Sequence, residues 1–475
     1  MIIYNKTKIV ATIGPASSSY DILKSMILAG VDVCRLNLSH GDEGLQKNVI
    51  ETIRKINKEI NTTVSILVDL QGPKIRIGEV ENNLIFLENN SEVVFSTNEI
   101  TGNPKRLSIN YLQFPSDVAI GDKILLDDGK IVLNVIGTNR KDEVIARVES
   151  GGNLSSRKGV NLPKTKVSLP SLTPKDLLDL KFALDQDVDW IGLSFVRSVN
   201  DIIDLKKRIS KSGKKCRVIA KIEKPEALEE IDHIIRETDA LMVARGDLGV
   251  ELPMEDVPLI QKMLVNKCID ASKPVIIATQ MMESMITNYT PTRAEVNDVA
   301  NSVIDGADAV MLSGETSVGL YPVRVVENMR TIITKIETQG YRYNRFHIPE
   351  VLSDTFISDS VCYNACVMAS QVGARAIVGI TRSGYTAYKV SSQRPNADIL
   401  IFTDMPSMLN VLSLVWGVRV FYYSGSVSTD ETILELQKIL KEKGFINTND
   451  IIINLASVPL DEQGRTNMIK LGRVK

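Results

Sequence analysis

Short apolar runs of four to seven residues recur along this chain with amphipathic stretches between them, and that rhythm constrains the fold more than any other feature. Strands buried on both faces read as continuous apolar runs, and strand–helix alternation builds a parallel sheet. Ile9–Ile13, Val33–Leu38 and Val64–Leu70 read as strands, with helices over Tyr20–Ala29 and Glu43–Glu59. The rhythm breaks near Gly72 and resumes after Pro170. Further strands are predicted at Trp190–Leu193, Val218–Ile222, Ala240–Ala244, Val275–Ala278 and Ala309–Leu312. Helices between them include Asn200–Ser212, Pro225–Thr238 and Thr292–Asp305. Three strands before the break and five after it make eight, the arithmetic of a (β/α)8 barrel. An open doubly wound sheet is the alternative.

The interruption has a different texture. Turn signals such as Asn82-Asn83, Gly102-Asn103-Pro104 and Asp127-Asp128-Gly129 separate short β segments, among them Lys130–Ile136 and Glu143–Glu149. The expected organisation is an α/β barrel over 1–70 and 167–345, an inserted all-β barrel domain over 71–166, and a C-terminal α/β domain over 346–475. Strands of that last unit are predicted at Ala376–Ile380, Ile399–Phe402, Val418–Tyr422 and Asp450–Asn454.

Charge excludes several functions. Lys+Arg number 56 against 58 Asp+Glu, so no global basic excess serves nucleic acid or an acidic membrane. No uncharged apolar run reaches the roughly 18 residues of a membrane span. The five cysteines include no Cys-x-x-Cys pair, and residues 1–10 carry no signal-peptide pattern, so a cytoplasmic protein is expected. Walker A, G-x-G-x-x-G and H-E-x-x-H motifs are all missing from the sequence.

In a barrel, chemistry belongs at the C-terminal strand tips. Along the second strand, period two puts Arg35, Asn37 and Ser39 on one face, suited to an oxyanion or a cation, or to a capping network at the rim. Lys221 and Glu223 share a face at the fifth tip; they form either a plain salt bridge or a phosphate site beside a metal. Asp247 follows the sixth strand, and two carboxylates suit magnesium, which takes its other ligands from water and substrate. Gly246 lets backbone N–H groups approach an anion. Thr279 adds a hydroxyl at the seventh tip, where Met281, Met282 and Met285 read as packing. Asp69, Lys74, Arg76 and Lys158 are placed to line the cleft between barrel and insert. Arg245-Gly246-Asp247 spells an adhesion tripeptide, read here as chance.

Taken in order, Ala11–Ser17, Arg35–Gly41, Gly72-Pro73, Lys158–Val160, Lys221–Glu223, Ala244–Gly249, Ala278–Met285, Pro291–Glu295 and Met311–Thr316 resemble the pyruvate kinase family over essentially the whole chain. The resemblance implies phosphoryl transfer from phosphoenolpyruvate to ADP, the last step of glycolysis, in a homotetramer. It implies Mg2+ or Mn2+ on Glu223 and Asp247, and Lys221 neutralising the phosphoryl group in flight. It places Arg35 on the substrate phosphate, N–H groups at Gly246 and Asp247 on its carboxylate, and Thr279 near the enolate carbon. His40, Arg76 and Lys158 resemble nucleotide contacts. Thr381, Arg382, Ser383, Gly384 and Thr386 resemble a sugar-phosphate effector loop, with AMP another candidate and a plain helix cap the structural alternative. A lyase or mutase acting on phosphoenolpyruvate or pyruvate in a similar barrel is the competing enzyme.

One departure stands out. Potassium-requiring members carry glutamate where this chain has Lys74, and usually threonine-lysine where it has Leu70-Gln71. The cation's side-chain ligand positions look retained as Asn37, Ser39 and Asp69, with Leu70 and Lys74 at the same site. A lysine ammonium carries the same charge as K+, so activity without monovalent cation is expected; the plainer reading pairs Lys74 with a carboxylate.

Overall fold

The computed structural model describes residues 4–39, 43–163, 165–351, 353–425, 428–458 and 465–475. Eight parallel strands close into a barrel: β1 (Lys8–Thr12), β2 (Val33–Asn37), β3 (Ser65–Asp69), β4 (Trp190–Leu193), β5 (Arg217–Ile222), β6 (Ala240–Ala244), β7 (Val275–Ala278) and β8 (Ala309–Leu312). Closure runs through β1 and β8, with Lys8 opposite Ala309 and Ala11 opposite Leu312, so the open-sheet alternative is excluded. Observed strands fall within one or two residues of those expected. The helix expected over Pro225–Thr238 is instead two, Glu226–Glu229 and Ile231–Glu237. Between them Glu230 leaves helical geometry, and its carboxylate accepts from the Val199 N–H at the start of the helix Val199–Lys211. A tertiary contact there overrides local propensity.

The insert leaves after β3 and folds around its own core of Val93, Phe95, Phe114, Leu133 and Ala146, separate from the barrel's. Its strands make a six-stranded sheet, ordered Val160–Asn161, Lys123–Leu126, Ile131–Thr138, Glu143–Ser150, Glu92–Ser96 and Arg106–Ser108, and a two-stranded pair, Leu84–Leu87 with Gly152–Ser155. Where the chain returns, Arg197 donates to the carbonyls of Val167 and Leu169. Asn161 donates to Glu251 of the barrel at 2.8 Å.

The C-terminal sheet has five strands, β9 (Ala376–Ile380), β10 (Asp398–Thr403), β11 (Val418–Tyr422), β12 (Ile451–Ala456) and β13 (Met468–Arg473), in the order β11-β10-β9-β12-β13. β13 was not among the expected strands. It is an antiparallel edge strand, half exposed, and lacks a continuous apolar run. The barrel's apolar core continues without a break into one face of this sheet through Trp416, Leu412 and Val390. The junction is pinned by buried Arg394, which donates to Asp308 at 2.9 Å and to the Gly306 carbonyl at 2.8 Å. Cys362 and Cys366 are buried and form no disulfide, as packing residues should. Among the described residues no helix is long and apolar enough to cross a membrane.

Candidate active site

Strand period two turns Arg35 of β2 into the barrel, and Asp69 ends the neighbouring strand β3. Arg35 Nε donates to Asp69 Oδ2 at 3.0 Å, and Arg35 Nη1 to Thr12 Oγ1 at 3.0 Å. Lys221 Nζ lies 3.1 Å from Asp69 Oδ2 and 2.9 Å from Glu223 Oε1. The line Arg35–Asp69–Lys221–Glu223 therefore alternates in sign. That alternation is what permits such burial: an isolated ion taken from water costs several kcal/mol, and each charge here has an opposite neighbour. Side-chain exposure is only 10% for Lys221 and 2% for Asp69 and Glu223, so the pairs are shielded from solvent. A close approach sustains the line. A Cβ on Gly192 of β4 would sit 2.5 Å from Asp69 Oδ1.

The electrostatics follow from burial and neighbours. Burial alone would push the Asp69 carboxyl up, but Lys221 and Arg35 outweigh it and hold it below the usual range. Burial works against the Lys221 ammonium, yet Asp69 and Glu223 carry it above the ordinary lysine value. Glu223 is pushed up, chiefly by burial and then by the nearby charge of Asp247, with Lys221 opposing. A desolvated carboxylate facing a second carboxylate gains from a cation between them. Among the described residues no three His, Cys, Asp or Glu side chains form a metal cluster. A divalent ion at Glu223 and Asp247 would take its remaining ligands from water and substrate, as magnesium does.

The tips of β6 and β7 are locked together. Gly246 N–H donates to Thr279 Oγ1 at 2.7 Å, and that hydroxyl donates to the Ala278 carbonyl at 2.6 Å. Thr279 and Gln280 hold φ of 69° and 54°, a conformation costly for a β-branched threonine. Arg245 fastens this turn: its guanidinium takes Asp298 at 2.6 and 2.7 Å and the Thr279 carbonyl at 2.8 Å. The Arg-Gly-Asp triplet is thus part of the barrel rim. Met281, Met282 and Met285 are fully buried packing.

A cleft opens between this mouth and the insert, lined by Lys74, Asp128, Arg197, Lys224 and Asp247 among others. Asn37 Oδ1 accepts from the Ser39 N–H at 3.1 Å, and the Leu70 carbonyl accepts from Ser194 Oγ at 2.7 Å. Asp69 Oδ1 is buried with no hydrogen-bond partner. Lys74 does not join these groups. It faces the cleft beside Gly159, and among the described residues it has no carboxylate partner, so the plainer pairing is not seen. Arg76 and Lys158 belong to the insert side and engage the Arg157 carbonyl and Asp127 at 2.9 and 2.7 Å. His40 lies outside the described residues.

The candidate effector loop links β9 to the helix Tyr385–Ser392. Thr381 Oγ1 accepts from the Gly384 N–H at 3.0 Å, Thr386 shares a hydrogen bond with Thr466 at 2.7 Å, and Arg382 pairs with Asp404 at 2.7 Å. Ser383 is exposed, and its carbonyl accepts from Arg217 at the base of β5. Sequence reasoning missed Thr12, Ser194 and Phe195, whose N–H donates to Glu223 Oε2 at 2.9 Å. The signal was available for Thr12, a polar residue at the end of a barrel strand.

A closed barrel whose charged tips converge beneath an inserted β domain has the form of a barrel enzyme. Residues 4–326 match the family model described as pyruvate kinase, barrel domain, and residues 359–471 that described as pyruvate kinase, alpha/beta domain. The pyruvate kinase of Staphylococcus epidermidis is 42% identical over 98% of this chain and 80% of its own length. That of Staphylococcus saprophyticus is 43% identical over the same shares. A solved structure, a pyruvate kinase from Cryptosporidium parvum, superposes with a TM-score of 0.93 at 34% identity, covering 99% of this chain and 96% of the other. The chain belongs to the pyruvate kinase family, transferases of the kinase class. The lyase or mutase reading is thereby set aside.

Proposed function

We propose that the enzyme transfers the phosphoryl group of phosphoenolpyruvate to ADP, giving pyruvate and ATP. The observation that carries this is the buried, sign-alternating line of Arg35, Asp69, Lys221 and Glu223, with Asp247 and Thr279 at the same mouth. Arg35 holds the substrate phosphate while Asp69 keeps its guanidinium aimed. Lys221 neutralises charge on the phosphoryl group as it moves. Gly246 N–H, held here by Thr279 Oγ1, passes to the substrate carboxylate together with that of Asp247. The released Thr279 hydroxyl then lies where a proton must reach the enolate carbon, directly or through water. Glu223 and Asp247 hold Mg2+ or Mn2+, which when bound supplies positive charge to the substrate oxygens.

The separate core of the insert supports reading 71–166 as a lid, with 1–70 and 167–345 as the catalytic unit and 346–475 as an effector and assembly unit. Arg76, Lys158 and His40 bind the nucleotide. Lys74 supplies fixed positive charge to the cleft in place of the K+ that Asn37, Ser39, Asp69 and Leu70 would hold. Thr381 to Gly384 and Thr386 take a sugar phosphate or AMP. A cytoplasmic homotetramer completes the reading, by likeness to the family.

The test is pyruvate formation from phosphoenolpyruvate, with and without ADP and Mg2+. Turnover that needs both is the expected result. Phosphoenolpyruvate consumed equally well without ADP would overturn it.

A further inference from the structure

The Lys221 ammonium has three N–H donors and meets three acceptors. Two are carboxylates, Asp69 Oδ2 at 3.1 Å and Glu223 Oε1 at 2.9 Å; the third is Ser194 Oγ at 2.7 Å. Ser194 is 2% exposed and sits one residue past the end of β4. Its single hydroxyl proton is committed to the Leu70 carbonyl at 2.7 Å, so it must face Lys221 with a lone pair. The carboxylates attract the ammonium by charge, which is weakly directional. The hydroxyl, oriented by a backbone carbonyl, is the partner that fixes a direction. The next residue, Phe195, is turned to a φ of 54° and gives its N–H to the other oxygen of Glu223 at 2.9 Å.

We propose that Ser194 is a positioning residue for phosphoryl transfer: it aims the Lys221 ammonium at the barrel mouth, while the Phe195 N–H beside it aims Glu223. This rests on the proposed function and deepens it. The tip of β4 has no reacting group of its own, yet it sets the orientation of the cation and of one metal-binding carboxylate. When substrate arrives, one Lys221 N–H must turn to a phosphoryl oxygen, and Ser194 keeps the nitrogen in place during that exchange. A hydrogen bond to a charged group is worth enough that its loss changes a rate by about tenfold or more.

Steady-state kinetics with phosphoenolpyruvate, ADP and Mg2+ test the proposal on the full chain. A wild type without activity would refute the proposed function, not this inference. Given an active wild type, Ser194→Ala should lower kcat by at least about tenfold with KM for phosphoenolpyruvate within about threefold. Ser194→Thr, which keeps the hydroxyl, should recover to within about threefold. Mn2+ affinity of the substrate-free protein, read by electron paramagnetic resonance, should be unchanged in Ser194→Ala, because Phe195 still holds Glu223. If the alanine variant does not fold, Ser194→Cys, close in volume but a weak acceptor, gives the same reading. A kcat within twofold of wild type, a loss confined to KM, a threonine variant as impaired as alanine, or weakened Mn2+ binding would each overturn the assignment.

Discussion

Asp69→Asn removes one negative charge and almost no volume from the centre of the site. Asp69 Oδ2 is shared by Arg35 and Lys221, so the change leaves two buried cations side by side with Glu223 the one carboxylate still in contact with Lys221. Removing one partner of a buried pair costs roughly 3–5 kcal/mol. With a urea slope of about 3 kcal/mol per molar or more for a barrel of this size, the unfolding midpoint falls by roughly 1 M. Activity suffers separately, because Arg35 and Lys221 lose the group that holds them side by side. The expected kcat is down by about a hundredfold or more, equivalent to at least about 2.7 kcal/mol of transition-state stabilisation. Urea denaturation followed by tryptophan fluorescence reads the first effect, and the coupled assay the second. A variant with the wild-type midpoint and a kcat within threefold would show that the alternating line does not organise this site.

The wild type should keep most of its activity in tetramethylammonium salts, and Lys74→Glu should create a requirement for potassium; a wild type inactive without K+ refutes the role given to Lys74. Burial raises the Asp189 carboxyl to about 6. Its folded value lies above its unfolded one, so stability from this group is present at low pH and is lost as pH rises from about 4 through 6. Asp189→Asn should flatten that part of the profile and stabilise the protein at pH 7 by up to about 3 kcal/mol, whereas parallel profiles would count against it. Sugar phosphates or AMP should activate the wild type and activate Thr381→Ala less; no response to any of them removes the effector reading.

Much of the barrel was legible because strands buried on both faces announce themselves as unbroken apolar runs, as Ala240–Ala244 and Val275–Ala278 do. The edge strand Met468–Arg473 was not, since a half-exposed edge needs no such run. Arg35, Asp69, Lys221 and Glu223 were visible as charges at strand tips, where an apolar core would otherwise exclude them. Ser194 was not visible: a serine after a strand is common, and only its contact with Lys221 sets it apart.

By itself the sequence determined the number of βα units, the place of the insert and the residues able to bear charge at the rim, because period and polarity are local properties. Only the tertiary structure decided that Arg35, Asp69, Lys221 and Glu223, up to 188 positions apart in the chain, alternate within hydrogen-bond reach. It likewise decided that Arg245 faces Asp298 and that Lys74 faces the cleft. Barrel closure fixes those distances, and distance is what turns a list of charged residues into a site.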